Sequence, residues 1–262
     1  MGQFEHDTAI EQIASDRWRA EFRRGWRIGK TMNGGYVLAV IARALRAALP
    51  HTDPLSINGF YMAPCQLGDC EIVVEVLKAG RGTSFGSASL YQNGELKVRA
   101  TGAYTDLAQL KGETWLGSAP PEARPFDEVA ALSAQALEIH ERIDMRLLEG
   151  YEVFERGAVT GTGEFIAWLQ HRDAAPFDTI DLVMLSDIMP PPPFTLFGPF
   201  GWVPTIELTV QCRAKPVPGP VLGRLKSRHL TESIIESDAD LWDSEGNLVA
   251  LARQTMKVRL PA

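Results

Sequence analysis

Histidine, cysteine and unbroken apolar runs are scarce in this 262-residue sequence, and each scarcity rules something out. The cysteines, Cys65, Cys70 and Cys212, are odd in number and form no Cys-x-x-Cys pair, so a disulfide framework is not expected. They read as reduced thiols packed like small apolar residues, which suits a cytoplasmic protein. The histidines, His6, His51, His140, His171 and His229, include no pair at metal-ligand spacing, so no zinc site is expected. The one Gly-x-Ser-x-Gly match, Gly82-Thr83-Ser84-Phe85-Gly86, opens an expected strand instead of turning a strand into a helix, so a serine-hydrolase elbow is not read there. No Gly-x-Gly-x-x-Gly fingerprint follows a strand, so a nicotinamide cofactor is not indicated. The longest apolar stretch is broken by Arg43 and Arg46 and is not read as a membrane span. The first residues, Met-Gly-Gln-Phe-Glu-His-Asp, lack a basic segment followed by an apolar one, so no secretory signal is read there. A formal net charge of −7 disfavours a general nucleic-acid binder.

Against these absences, one stretch organises the rest. Residues 33–49 open with Asn33-Gly34-Gly35 and continue with Leu38, Ile41, Leu45 and Leu49 at helical spacing, among alanines that favour helix. Val37 and Val40 widen the apolar surface, so the helix is expected to be enclosed, with Pro50 as its stop. Free N–H groups at its Gly-rich start can hold an anion or a developing oxyanion. The aromatics Trp18, Phe22 and Trp26 suggest one or two strands ahead of it. Four strands are expected after it, over 55–63, 70–78, 83–92 and 95–106, with Asn93-Gly94 as a hairpin turn. Residues 118–126 read as a linker, with a short helix over 127–137. The second half has strands over 143–154 and 163–171, then a helix over 178–189 capped by Asp178 or Thr179 and ended by Pro190 to Pro193. Strands return over 204–213, 221–230, 233–243 and 247–259.

The two halves repeat. Gly94-Glu95-Leu96 to Ala100 matches Gly246-Asn247-Leu248 to Ala252, and Leu90-Tyr91 matches Leu241-Trp242, with one extra residue in the second hairpin turn. Each half runs strands, helix, strands. The expected class is therefore α+β: two antiparallel sheets in tandem, each wrapped around a central helix. The boundaries are 1–117 for the first unit, 118–138 for the linker and 139–262 for the second.

That arrangement resembles the double-hotdog acyl-CoA thioesterases of the acyl-CoA thioesterase II type, in the wider thioesterase-like superfamily. The residues that carry the resemblance are Asn33-Gly34-Gly35, Pro64, Thr83-Ser84-Phe85 and Gln92-Asn93-Gly94 in the first half. In the second they are Ser186-Asp187, Thr205-Ile206-Glu207 and Gln254. The resemblance implies hydrolysis of an acyl-CoA by carboxylate-activated water, with CoA present as part of the substrate and no separate cofactor. It implies an acid on the first long strand of the second unit, here Glu207, and a Gln on the last strand, here Gln254. Its hydroxyl position falls at Arg228 or His229, with Thr231 a short slip away. The helix start, Asn33, Gly34, Gly35 and Tyr36, would polarise the carbonyl. A homodimer is expected by the same resemblance.

Read from the residues alone, Ile206, Leu208, Val210 and Cys212 alternate onto one face, so Glu207 points to the polar one. There it is either a base for water or a solvated strand carboxylate. Gln254 is either a water holder or an exposed strand amide; its repeat partner is Gly102. Tandem glycines also serve close packing. CoA phosphate contacts are open among Arg81, Arg213 and Lys215. Two other functions stay open: a non-catalytic acyl- or aromatic-ligand module, and a hotdog hydratase or dehydratase, whose paired His and acid the helix starts lack.

Overall fold

The computed structural model describes residues 2–132, 137–199 and 202–260. Its first half holds strands β1 (Ile10–Ala14) and β2 (Arg17–Phe22), helix α1 (Gly34–Ala48), then β3 (Asp53–Tyr61), β4 (Gly68–Ala79), β5 (Ser84–Gln92) and β6 (Glu95–Thr105). The second half holds β7 (Ile143–Glu149), β8 (Glu164–His171), helix α2 (Thr179–Leu185), β9 (Thr205–Cys212), β10 (Val221–Lys226), β11 (Ile234–Trp242) and β12 (Leu248–Lys257).

One expectation is overturned here. The halves do not form two sheets. They share one antiparallel sheet in the order β1-β2-β4-β5-β6-β3-β9-β12-β11-β10-β8-β7, completed by a thirteenth strand, Leu230–Thr231, on β11. The join is β3 against β9, where Glu207 faces Phe60, Leu208 faces Gly59, Thr209 faces Asn58 and Val210 faces Ile57. The reason is the edge problem: each half alone would leave a long strand with unpaired backbone groups, and each closes the other's edge. The order reads as a palindrome of roles, β1 with β7 through β3 with β9, which is the repeat seen in the sequence. The hairpin turns keep their difference as well. Asn93 and Gly94 turn β5 into β6 with φ of 54° and 78°, as a tight two-residue turn requires. In the second copy Asp243 N–H bonds the Asn247 carbonyl, leaving three residues in the loop.

Both helices lie against the same sheet. Leu38, Ile41 and Leu45 of α1 are fully buried, each contributing roughly 1.5–3 kcal/mol of transfer free energy. The two charges that interrupt α1 are both employed: Arg43 donates to Thr8 Oγ1 and Arg46 to Asp178 and Thr179 at the start of α2. All seven residues of α2 are buried, and Asp178 with Asp181 forms a reciprocal cap at its start.

Some element ends differ from expectation. The helix expected over 178–189 is regular only to Leu185, after which Asp187 N–H and Ile188 N–H bond carbonyls three residues back. The strand expected over 143–154 ends at Glu149, because Gly150 turns the chain at φ 86°. The strand expected over 221–230 stops at Lys226, and the chain reverses at Glu232 and Ser233, both at positive φ. Of the helix expected over 127–137, residues 133–136 lie outside the described residues; the rest shows only a single 3-10 turn, Phe126–Glu128.

Candidate functional site

The start of α1 meets the end of α2. Asn33 caps α1 by accepting from Tyr36 N–H, while its own amide donates to the Asp187 carbonyl at 2.7 Å. The Gly35 N–H, one of the donors a helix start leaves unpaired, donates to Asp187 Oδ2 at 2.9 Å. Gly35 is required by the close approach: a Cβ there would lie 2.6 Å from the Met184 carbonyl oxygen and 2.9 Å from Asp187 Cβ.

From the sheet side, Gln254 of β12 completes the cluster. Its Nε2 donates to Asp187 Oδ1 at 2.5 Å and to Thr205 Oγ1 at 2.6 Å. Thr205 reaches it because of a register shift between Thr205 and Glu207, after which Thr205 faces Met256. A regular strand would turn Thr205 to the same side as Glu207; the irregularity turns it toward Gln254. Gln254 is buried, whereas Asp187, Thr205, Gly34 and Tyr61 keep partial access to solvent.

Asp187 is held by opposing forces. Enclosure among protein atoms raises its carboxyl up to about 6, against hydrogen bonds from Gln254, Gly35 and Gly34 that favour the anion. The positive end of α1 favours the anion too. An acid that sheds its proton near neutrality and holds a fixed orientation is suited to take one from water.

The structure brings Asn33, Gly34, Gly35 and Gln254 together around Asp187 and Thr205. Both stand in stretches that carry the resemblance, but the roles it implies fall on other residues. The signal was available: a carboxylate at the C-terminal end of an apolar helix is electrostatically disfavoured there, so it calls for another reason. Glu207, by contrast, lies on the sheet face opposite the fully buried Leu208, Val210 and Cys212. Its carboxylate accepts from Asn58 and from Thr209 Oγ1. Among the described residues no hydrogen bond joins it to Gly35 or Asp187. Tyr36 also serves otherwise: its ring stacks on Trp26 at 5.1 Å, its hydroxyl donates to the Asp7 carbonyl, and its N–H is taken by Asn33. His229 and Thr231 are exposed. Thr231 pairs with Ile234, opposite Lys257, two strands across and three residues along β12 from Gln254, and so roughly 14 Å away.

A histidine does meet an acid at the other helix start. His171 Nε2 lies 2.7 Å from Asp181 Oδ1, but both are buried, with Phe4 and Phe177 against the imidazole. That pair fastens α2 and the N-terminus in place and offers no surface to a substrate. Two surface clefts, of about 590 and 560 Å³, line with other residues, around Arg17 and Tyr91 and around Arg23 and Arg142. Among the described residues, no group of three His, Cys, Asp or Glu gathers as metal ligands would.

Fold and site thus define a two-unit hotdog protein with one carboxylate, amide and hydroxyl cluster where its halves meet. The sequence model of acyl-CoA thioesterase N-terminal domains matches residues 22–105, and that of the C-terminal domains matches residues 117–258. The chain belongs to the acyl-CoA thioesterase family. Among solved structures, a Thermobifida fusca protein provisionally named thioesterase II is 27% identical, with a TM-score of 0.90 covering 99% of this chain and 100% of that one. A hot dog fold protein of unknown function from Alicyclobacillus acidocaldarius has a TM-score of 0.89 at 18% identity over the whole of both chains, a likeness of fold alone. Among curated relatives, an uncharacterized protein of Mycobacterium bovis is 24% identical across 92% of this chain and 90% of its own length. Among the described residues no helix is long and apolar enough to cross a membrane.

Proposed function

We propose that this chain hydrolyses an acyl-CoA or a related acyl thioester using a water activated by Asp187. The observation that carries the reading is the forked hydrogen bond of Gln254 to Asp187 and Thr205. With both amide protons so engaged, the Thr205 hydroxyl proton is left to orient a water. A water bonded to Thr205 and Asp187 has its lone pair turned outward, toward a carbonyl lying over the start of α1. Asp187 takes one of its protons as the oxygen bonds the thioester carbon, and negative charge moves onto the carbonyl oxygen. The dipole of α1 stabilises that charge, although the expected N–H donors of Gly34, Gly35 and Tyr36 are given to Asp187 and Asn33. When the intermediate collapses, the carbon–sulfur bond breaks. The proton held by Asp187 passes to the leaving sulfur, giving a thiol and a carboxylic acid, which ionises in water. No covalent acyl-enzyme is needed. Met62 and Ile206, large apolar side chains exposed next to Tyr61 and Thr205, offer an apolar border for the acyl group.

Release of free CoA from a panel of acyl-CoAs, compared between wild type and Asp187→Asn, tests the proposal. Turnover is expected for at least one chain length, with the variant lower by about 10²–10⁴-fold, the usual contribution of a positioned base. Tight acyl-CoA binding without turnover in wild type would favour the ligand module.

A further inference from the structure

We propose that Tyr61 is a positioning residue for this base: its hydroxyl clamps the Gly34–Gly35 peptide group and so keeps the Gly35 N–H aimed at Asp187. The inference rests on the reading of Asp187 as the base, and it concerns a residue that lies outside the cluster itself. Tyr61, the last residue of β3, donates its O–H to the Gly34 carbonyl at 2.8 Å. The Gly35 N–H donates to Asp187 Oδ2 at 2.9 Å. That carbonyl and that N–H are the two ends of one planar peptide group, so fixing one fixes the direction of the other.

The clamp matters because of where it acts. Gly34 and Gly35 are consecutive glycines, the residues with the freest backbone, at the first turn of α1, where N–H groups lack helical partners. A bond at the carbonyl also polarises the amide, which strengthens the N–H as a donor by cooperativity. The tyrosine ring packs along the same glycine: a Cβ on Gly34 would lie 3.4 Å from its Cε1. Tyr61 stays a donor at neutral pH, since burial first, then the nearby Asp187, Cys65 and Glu207, push its phenol well above the usual range.

The groups around Asp187 can be named element by element. From α1 come Asn33, Gly34 and Gly35, from β12 Gln254 and from β9 Thr205, none of which titrates near neutrality. Tyr61 comes from β3, and Glu207 stands beyond it on the opposite sheet face. A shift in the Asp187 titration on changing Tyr61 alone therefore reports on the Tyr61 hydroxyl, whose hydrogen bond is the one to the Gly34 carbonyl.

The experiment measures the pH profile of kcat/KM and, on the resting protein, the ¹³C-carboxyl titration of Asp187 by NMR, assigned with Asp187→Asn. In Tyr61→Phe, which keeps the ring, the acidic limb and the carboxyl titration are expected to move up together by roughly half to one pH unit. The activity loss is then about 3–10-fold at pH 5.5 and under about twofold at pH 8. Incorporating 3-fluorotyrosine at position 61, a stronger donor of nearly the same shape, moves both the other way, and serves equally if the phenylalanine variant does not fold. An Asp187 titration unmoved by either change overturns the clamp. A titration that moves while Asp187→Asn keeps full turnover upholds the clamp and removes the base instead.

Discussion

Asp187 shows how one carboxylate is made useful by forces that nearly cancel. Enclosure among protein atoms penalises its charge, while Gln254 and the amides of Gly35 and Gly34 reward it, leaving the carboxyl up to about 6. Because that lies above the value of a free carboxylate, the folded protein binds more protons than the unfolded chain between about pH 4 and 6. Ionising Asp187 therefore costs stability as pH rises through that window, and the cost persists above it. The proposed catalysis runs the other way, since only the anion accepts a proton. The rate of thioester hydrolysis is expected to climb through about pH 6 to a plateau, as an initial-rate profile across pH 4.5–8.5 would show. Gln254→Ala removes the largest of the bonds favouring the anion, so its limb should move to higher pH. A limb that stays in place would mean that Gln254 does not touch the titrating group. Asn58 and Thr209 illustrate the opposite case. They satisfy Glu207 on the far side of the sheet, so its charge has a local structural partner and no route to the water.

At the scale of elements, the site is a contact between two helix ends, and that contact was only half legible. Helix α1 was plain in the sequence: Asn33 caps it, Pro50 follows it, and its alanines and leucines repeat at the right spacing. The docking of α2 was not plain, because its seven residues are uniformly buried and uniform burial erases the amphipathic stripe that reveals a partner. Nor does any propensity announce the irregularity at Thr205 to Glu207, since it depends on pairing with β12. The resemblance puts the acid on β9, at Glu207, whereas the irregularity brings Thr205, not Glu207, to Gln254. Two predictions belong here. Gly35→Ala drives a methyl group into the Met184 carbonyl and should cost about 1–3 kcal/mol, lowering the thermal midpoint and displacing Asp187, with activity lost alongside. At the opposite end of the pair, Asp178 caps α2. Burial alone would raise its carboxyl, but Arg46 and the Asp181 amide outweigh that and hold it at about 2. Its stabilisation is complete above about pH 4 and fades as pH falls through 4 toward 2. Arg46→Gln should therefore shift acid unfolding, followed by circular dichroism, to higher pH.

For the whole molecule, the duplication explains both the symmetry of the sheet and the asymmetry of the chemistry. The repeated hairpins at Asn93-Gly94 and Gly246 were readable because glycines and hydrophobic alternation survive divergence. The single continuous sheet was not, because pairing of β3 with β9 spans about 150 residues and leaves no local trace. Matched positions have diverged in kind: the start of α1 holds Asp187, whereas the start of α2 is filled by Arg46 bonded to Asp178 and Thr179. On the proposed reading one interface carries the chemistry and the other fastens. Residues 1–117 expressed alone would expose the Asp53–Tyr61 edge and should self-associate or aggregate through it, which light scattering would detect. A stable monomer would mean that the seam is dispensable. The most direct measurement of all sets the two carboxylates against each other, comparing CoA release by wild type, Asp187→Asn and Glu207→Gln at pH 8 in one assay. Activity reduced by about 10²-fold or more in the first variant, and within about twofold of wild type in the second, is the outcome expected here. The reverse order, or equal activity in all three proteins, would contradict the assignment of Asp187 as the base.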